Sequence, residues 1–159
     1  MKVKGIIYED FVNYKKCSMT IAMPYCSFKC DKECEYPVCQ NSKLVNDPNI
    51  EIPIDKIIDQ YIMNPMSHAI VFQGLEPFDS WNDLEQFIYR LRISYACTDD
   101  IVIYTGYNKE EIKDKIELLS CFTNIIIKFG RFIPNQDSHY DEILGVKLAS
   151  NNQYAEKIS

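Results

Sequence analysis

The chain has 159 residues, enough to bury the core of one domain. Its formal net charge of −6 argues against a basic surface for nucleic acid. No apolar run approaches the about 18 residues of a membrane span, and "MKVKGIIYED" lacks the apolar stretch of a secretion signal. The expectation is a cytoplasmic protein, without a nucleic-acid or membrane partner, in which clustered cysteines bind metal or do redox chemistry.

In chain order, "SMTIAM" (Ser18 to Met23) reads as a strand that runs directly into a cysteine segment, "CSFKCDKECEYPVC" (Cys26 to Cys39). A polar loop, "QNSKLVNDPN", follows. Ile54, Ile57, Ile58, Tyr61 and Ile62 then recur at helical spacing, with Asn64 and Pro65 as the stop. "HAIVFQG" is a short apolar run closed by Gly74, read as a buried strand. Leu84, Phe87, Ile88 and Leu91 share a helical face, with Ser80 and Asp83 as an N-terminal cap pair. "DIVIYTG" predicts a second buried strand. Asn108 opens a helix over "NKEEIKDKIELLSCF", with Glu111 placed for a capping box. "NIIIKFG" predicts a third buried strand.

Strands alternating with helices predict an α/β fold with a mostly parallel sheet in a single domain spanning residues 1–159. The continuous Ile/Val runs predict burial on both faces. In such sheets ligands bind beyond the carboxyl ends of the strands. The cysteine segment, "QGLEP", "TGY" and "GRF" each follow a strand, so all four converge on one edge.

Thiolates are soft ligands for zinc or iron–sulfur clusters. Cys26, Cys30, Cys34 and Cys39 lie in one compact loop, without the long separation between paired cysteines of a structural zinc site. That arrangement suits a cubane cluster better. Cys17, Cys97 and Cys121 are isolated and read as buried thiols. His68 and His139 lie far apart in sequence, near no ligand set.

Several pieces carry a resemblance. "CSFKC" resembles the first half of the CxxxCxxC motif of radical S-adenosylmethionine enzymes, and "QGLEPF" resembles their Gly-Gly-Glu-Pro motif. Within that superfamily "DFVN" (Asp10 to Asn13), "IVIYTGY", "IIIKFGRF" and "LASNNQ" (Leu148 to Gln153) resemble, in the same order, segments of the small activating proteins of anaerobic ribonucleotide reductase. The chain departs from that pattern in four places. "NYKK" (Asn13 to Lys16) stands where the family has an Asn-Gly-x-Gly turn. Leu75 replaces a glycine, and Lys128 replaces an aspartate. The CxxxCxxC spacing is also altered. Val38 and Asn41 match residues flanking the family's third cysteine, which favours Cys39 as third ligand, with Cys34 the alternative.

The resemblance implies a partial, open βα barrel. It also implies a [4Fe-4S] cluster on Cys26, Cys30 and Cys39, with S-adenosylmethionine chelated by the fourth iron. Glu76 would accept from the methionine ammonium, with Gly74 allowing close backbone approach. Thr105 and Gly106 would face the ribose and carboxylate, and Asn152 and Gln153 would reach the adenine. The implied activity is activation of a glycyl-radical enzyme, the large subunit of anaerobic ribonucleotide reductase foremost. A reduced flavodoxin- or ferredoxin-type protein would be the electron donor. The alternatives are a radical enzyme with another substrate and a non-catalytic zinc- or iron–sulfur-binding module.

Overall fold

A computed structural model describes residues 1–159. Two short strands, β1 (Lys2–Val3) and β4 (Ile50–Glu51), pair at the periphery. The main sheet is formed by β2 (Gly5–Asp10), β3 (Ser18–Met23), β5 (Ala69–Gly74), β6 (Asp100–Tyr104), β7 (Ile125–Phe129) and β10 (Tyr154–Lys157). Its order is β10-β7-β6-β5-β3-β2. The four inner strands are parallel to one another, and β2 and β10 add antiparallel edges. The expected α/β class and mostly parallel sheet are present. The inner strands fall where the Ile/Val runs predict them.

Side-chain alternation divides the sheet into two faces. Ile21, Phe72, Ile103 and Ile127 point toward the helices α2 (Ile54–Met63), α3 (Trp81–Tyr89) and α4 (Lys113–Leu119), and with Ile57, Phe87 and Leu119 they form the larger core. Phe72 and Phe87 meet edge to face, 5.2 Å between ring centroids. Ala69, Val71, Val102 and Ile126 point the other way into a smaller core. There they meet Tyr14, Leu144 and Leu148, the last from the hairpin of β8 (His139–Asp141) and β9 (Val146–Leu148).

On that second face the apolar layer ends one alternation before the strands do. Val71 is followed by Gln73, Val102 by Tyr104 and Ile126 by Lys128. Tyr104 and Lys128 are direct cross-strand partners. The smaller core therefore gives way to polar side chains at the carboxyl ends of the strands.

Two local expectations need correction. Ser80 caps nothing: its hydroxyl is buried without a partner. Instead Glu76 caps the preceding turn (Pro77–Ser80), accepting from the Phe78 N–H at 3.1 Å. Of the three isolated cysteines none is buried: Cys121 is exposed, and Cys17 and Cys97 are half-buried. The capping box of Asn108 and Glu111 is present, the Asn108 N–H donating to Glu111 Oε2 at 2.8 Å.

Candidate metal centre

Four strand ends build one cleft. After β3 comes the cysteine loop, with the short helix α1 (Lys29–Cys34) inside it. After β5 come Leu75 and Glu76, after β6 Thr105 and Gly106, and after β7 Gly130. These residues line a cleft of about 340 Å³ together with Lys128 and three cysteines, Cys26, Cys30 and Cys39. Cys34, the last residue of α1, is not on its wall.

The loop is held by polar contacts rather than by a core, since α1 buries no residue. Asp31 Oδ1 accepts the backbone N–H groups of Val38 and Cys39, each at 2.8 Å. Asn41 Nδ2 donates to the Gly74 carbonyl at 2.8 Å. The Ser27 N–H donates to Asp79 Oδ2 at 2.6 Å, and Asp79 Oδ1 accepts from the Tyr107 hydroxyl at 2.6 Å. Gly74 is needed for this packing. Its φ is +89°, and a Cβ there would come within 3.1 Å of the Ala22 backbone and of Leu44.

Each of the three cleft thiols meets a backbone N–H: Phe28 on Cys26 at 3.3 Å, Phe132 on Cys30, and Asn41 on Cys39. Those contacts favour the thiolate. Burial opposes them and dominates, pushing Cys26 up to about 12 and raising Cys30 and Cys39. A metal must therefore displace protons to bind here. No three His, Cys, Asp or Glu side chains converge closely enough to grip one ion. The three thiols line one cleft, and thiolates are soft ligands of the kind iron–sulfur clusters take.

Glu76 is buried, 7% exposed, with both carboxylate oxygens engaged. Thr105 Oγ1 donates to Oε1 at 2.7 Å, and the Gly106 N–H donates to Oε2 at 2.8 Å. Burial raises Glu76 to about 7 against those donors. Thr105 and Gly106 thus serve Glu76 directly. With Phe78 on Oε1, three of the about four acceptor positions of a carboxylate are occupied, and one on Oε2 is left.

The C-terminal candidates separate. Gln153 lines the cleft, but Oε1 accepts from Ala149 and Ser150 and Nε2 donates to the Gly130 carbonyl. Asn152 does not line it; Nδ2 donates to the Arg131 carbonyl at 2.8 Å. Both tie the C-terminal turn to the end of β7. Gly130, at φ +93°, leaves room for that turn: a Cβ would meet the Asn152 carbonyl at 3.0 Å.

Two basic residues stand out that motif reading does not select as site residues, Lys128 and Arg131. Both are buried. Burial lowers Lys128 to about 8, with Glu76 and Cys30 opposing. Arg131 Nη2 pairs with Glu111 at 2.7 Å. The available signal is a lysine inside an otherwise apolar strand, "IIIKF".

A parallel sheet with three thiols lining a cleft at its strand ends is an arrangement that can hold a metal cluster through cysteine. The chain belongs to the family of 4Fe-4S single cluster domains, whose model matches residues 15–154. No curated protein and no solved structure matches it. Cys26, Cys30 and Cys39 are the residues here that would hold such a cluster. No helix is long and apolar enough to cross a membrane.

Proposed function

We propose that this chain is a radical S-adenosylmethionine protein whose sheet is part of an open βα barrel. The supporting observation is that only three of the four loop cysteines line the cleft, which would leave one iron of a cubane without a protein ligand. When bound, the cluster would supply one electron to S-adenosylmethionine, whose cleavage gives methionine and a 5′-deoxyadenosyl radical.

The chain's own residues have defined tasks in this reading. Cys26, Cys30 and Cys39 ligate. Glu76 offers the remaining acceptor position on Oε2 to the methionine ammonium. Gly74 lets the loop after β5 approach the β3 backbone closely. The cleft volume, about 340 Å³, falls in the range of small-molecule sites. The substrate is the backbone glycine of a glycyl-radical enzyme, with anaerobic ribonucleotide reductase the leading candidate on the motif resemblance. A flavodoxin- or ferredoxin-type protein is the electron source.

Anaerobic reconstitution with iron and sulfide, reduction, and addition of S-adenosylmethionine test this. Release of 5′-deoxyadenosine with methionine is the expected result. A reduced cluster that leaves S-adenosylmethionine intact would refute the reading.

A further inference from the structure

Lys128 is the buried lysine of this protein, 6% exposed in a strand whose five residues are all buried. It sits one alternation beyond Ile126, on the cleft face of β7. Its ammonium donates to two neutral acceptors, the carbonyls of Gly130 at 2.8 Å and Thr105 at 3.5 Å. An ammonium has three N–H bonds, so a third remains. None of the protein's ion pairs includes Lys128. Glu76, a carboxylate on the same cleft, takes its donors from Thr105, Gly106 and Phe78 instead.

Arg131 provides the contrast. It is buried to the same degree, but its guanidinium faces Glu111 at 2.7 Å and Glu33 at 3.2 Å. Its charge is offset within the protein. Lys128 carries a buried charge that no ion pair offsets, with Glu76 and Cys30 acting on it only without direct contact, and burying such a charge is unfavourable unless something anionic shares the space.

The cleft supplies that anion when thiolates ligate a cluster. Lys128 and the three cysteines share its wall. Thr105, whose carbonyl holds the ammonium, is followed by Gly106, where a Cβ would stand 3.7 Å from Cys30 Sγ. We propose that the Lys128 ammonium is the internal counter-charge of the cluster and holds its reduction potential above the value the thiolate loop alone would set. Reduction adds one negative charge beside a fixed positive one. In a poorly hydrated site that stabilises the reduced form more than the oxidised form. The proposal rests on the reading that Cys26, Cys30 and Cys39 hold the cluster.

The test is a spectroelectrochemical titration at neutral pH of reconstituted wild-type, Lys128→Met, Lys128→Arg and Arg131→Gln chains. Lys128→Met is expected to move the midpoint to more negative potential. Lys128→Arg is expected to stay near wild type, and Arg131→Gln to move less than Lys128→Met. Equal midpoints in wild type and Lys128→Met would overturn the proposal and leave cluster binding intact. If Lys128→Met assembles no cluster, iron and sulfide content decides. Recovery in Lys128→Arg supports a requirement for charge, and no recovery overturns it. A wild-type chain that assembles no cluster removes both readings.

Discussion

β7 and the loop from Cys26 to Cys39 reach the same cleft by opposite means. All five residues of β7 are buried, between β6 and β10, and the strand needs nothing outside the fold to hold its place. The loop's helix buries nothing, and its two flanking residues, Phe28 and Glu35, have left-handed backbones at φ 51° and 60° without being glycine. Such conformations are costly and persist where surrounding contacts hold them. Here those contacts are a few hydrogen bonds through Asp31, Asn41 and Asp79. The sheet carries the stability, and the loop carries the three thiols that line the cleft.

The first way to break this comparison is to attack the sheet. Phe72→Ala removes a fully buried ring and its contact with Phe87, and is expected to cost about 3–5 kcal/mol. Urea denaturation of the metal-free chain measures it. A loss below about 1 kcal/mol would mean the sheet is not the stable region.

Glu76 joins the two regions. Its N–H donates to the Tyr25 carbonyl of the loop at 2.7 Å, while its side chain accepts from β6's turn. Glu76→Gln turns one acceptor oxygen into a donor facing donors, an expected cost of about 1–3 kcal/mol. The pH dependence has a definite sign. Burial raises Glu76 from 4.5 to about 7, so the folded chain keeps a proton that the unfolded chain releases. Stability therefore falls as pH rises between those values, and Glu76→Gln should flatten that part of the profile. The gap between wild type and variant is largest at the acid end.

Asp31→Ala tests the loop. It strips an acceptor from two half-buried N–H groups, at an expected cost of about 1 kcal/mol or less in the metal-free chain. Its larger effect should appear in iron loading, because Cys39 loses the contact that holds its backbone. Unchanged loading would show that the loop is set without Asp31.

The smallest effect concerns Glu111, which tethers the loop to the β6 side through Lys29 at 2.9 Å and also pairs with Arg131. The Arg131 guanidinium, chief among its partners, holds Glu111 down at about 2, against 4.5 ordinarily. Its contribution is present above 4.5 and is lost as pH falls toward about 2. Glu111→Gln should remove that acid-side loss from the denaturation profile.

The same contrast explains what the sequence discloses. Runs such as Ile70–Phe72 and Ile125–Ile127 are long enough and apolar enough to declare buried strands, and their order implies the parallel sheet. The convergence of four strand ends follows from topology, so Gly74, Glu76, Thr105 and Gly106 are legible as neighbours of the cysteines. The antiparallel edges β2 and β10 and the β8–β9 hairpin are not, because short strands of mixed character carry no periodic signal. Hydrogen-bond partners are also hidden. Nothing in "CDKEC" declares that Asp31 clamps Cys39, and nothing in "LASNNQ" declares that Gln153 binds its own turn. Lys128 is visible as a break in an apolar run, but its lack of a carboxylate partner is a fact of packing.

Which thiols hold the cluster is the claim on which the rest depends. The direct measurement is iron and sulfide content after anaerobic reconstitution of Cys34→Ala and Cys39→Ala chains beside wild type. The account predicts a full [4Fe-4S] complement in Cys34→Ala and little or none in Cys39→Ala. Retention in Cys39→Ala with loss in Cys34→Ala would contradict it.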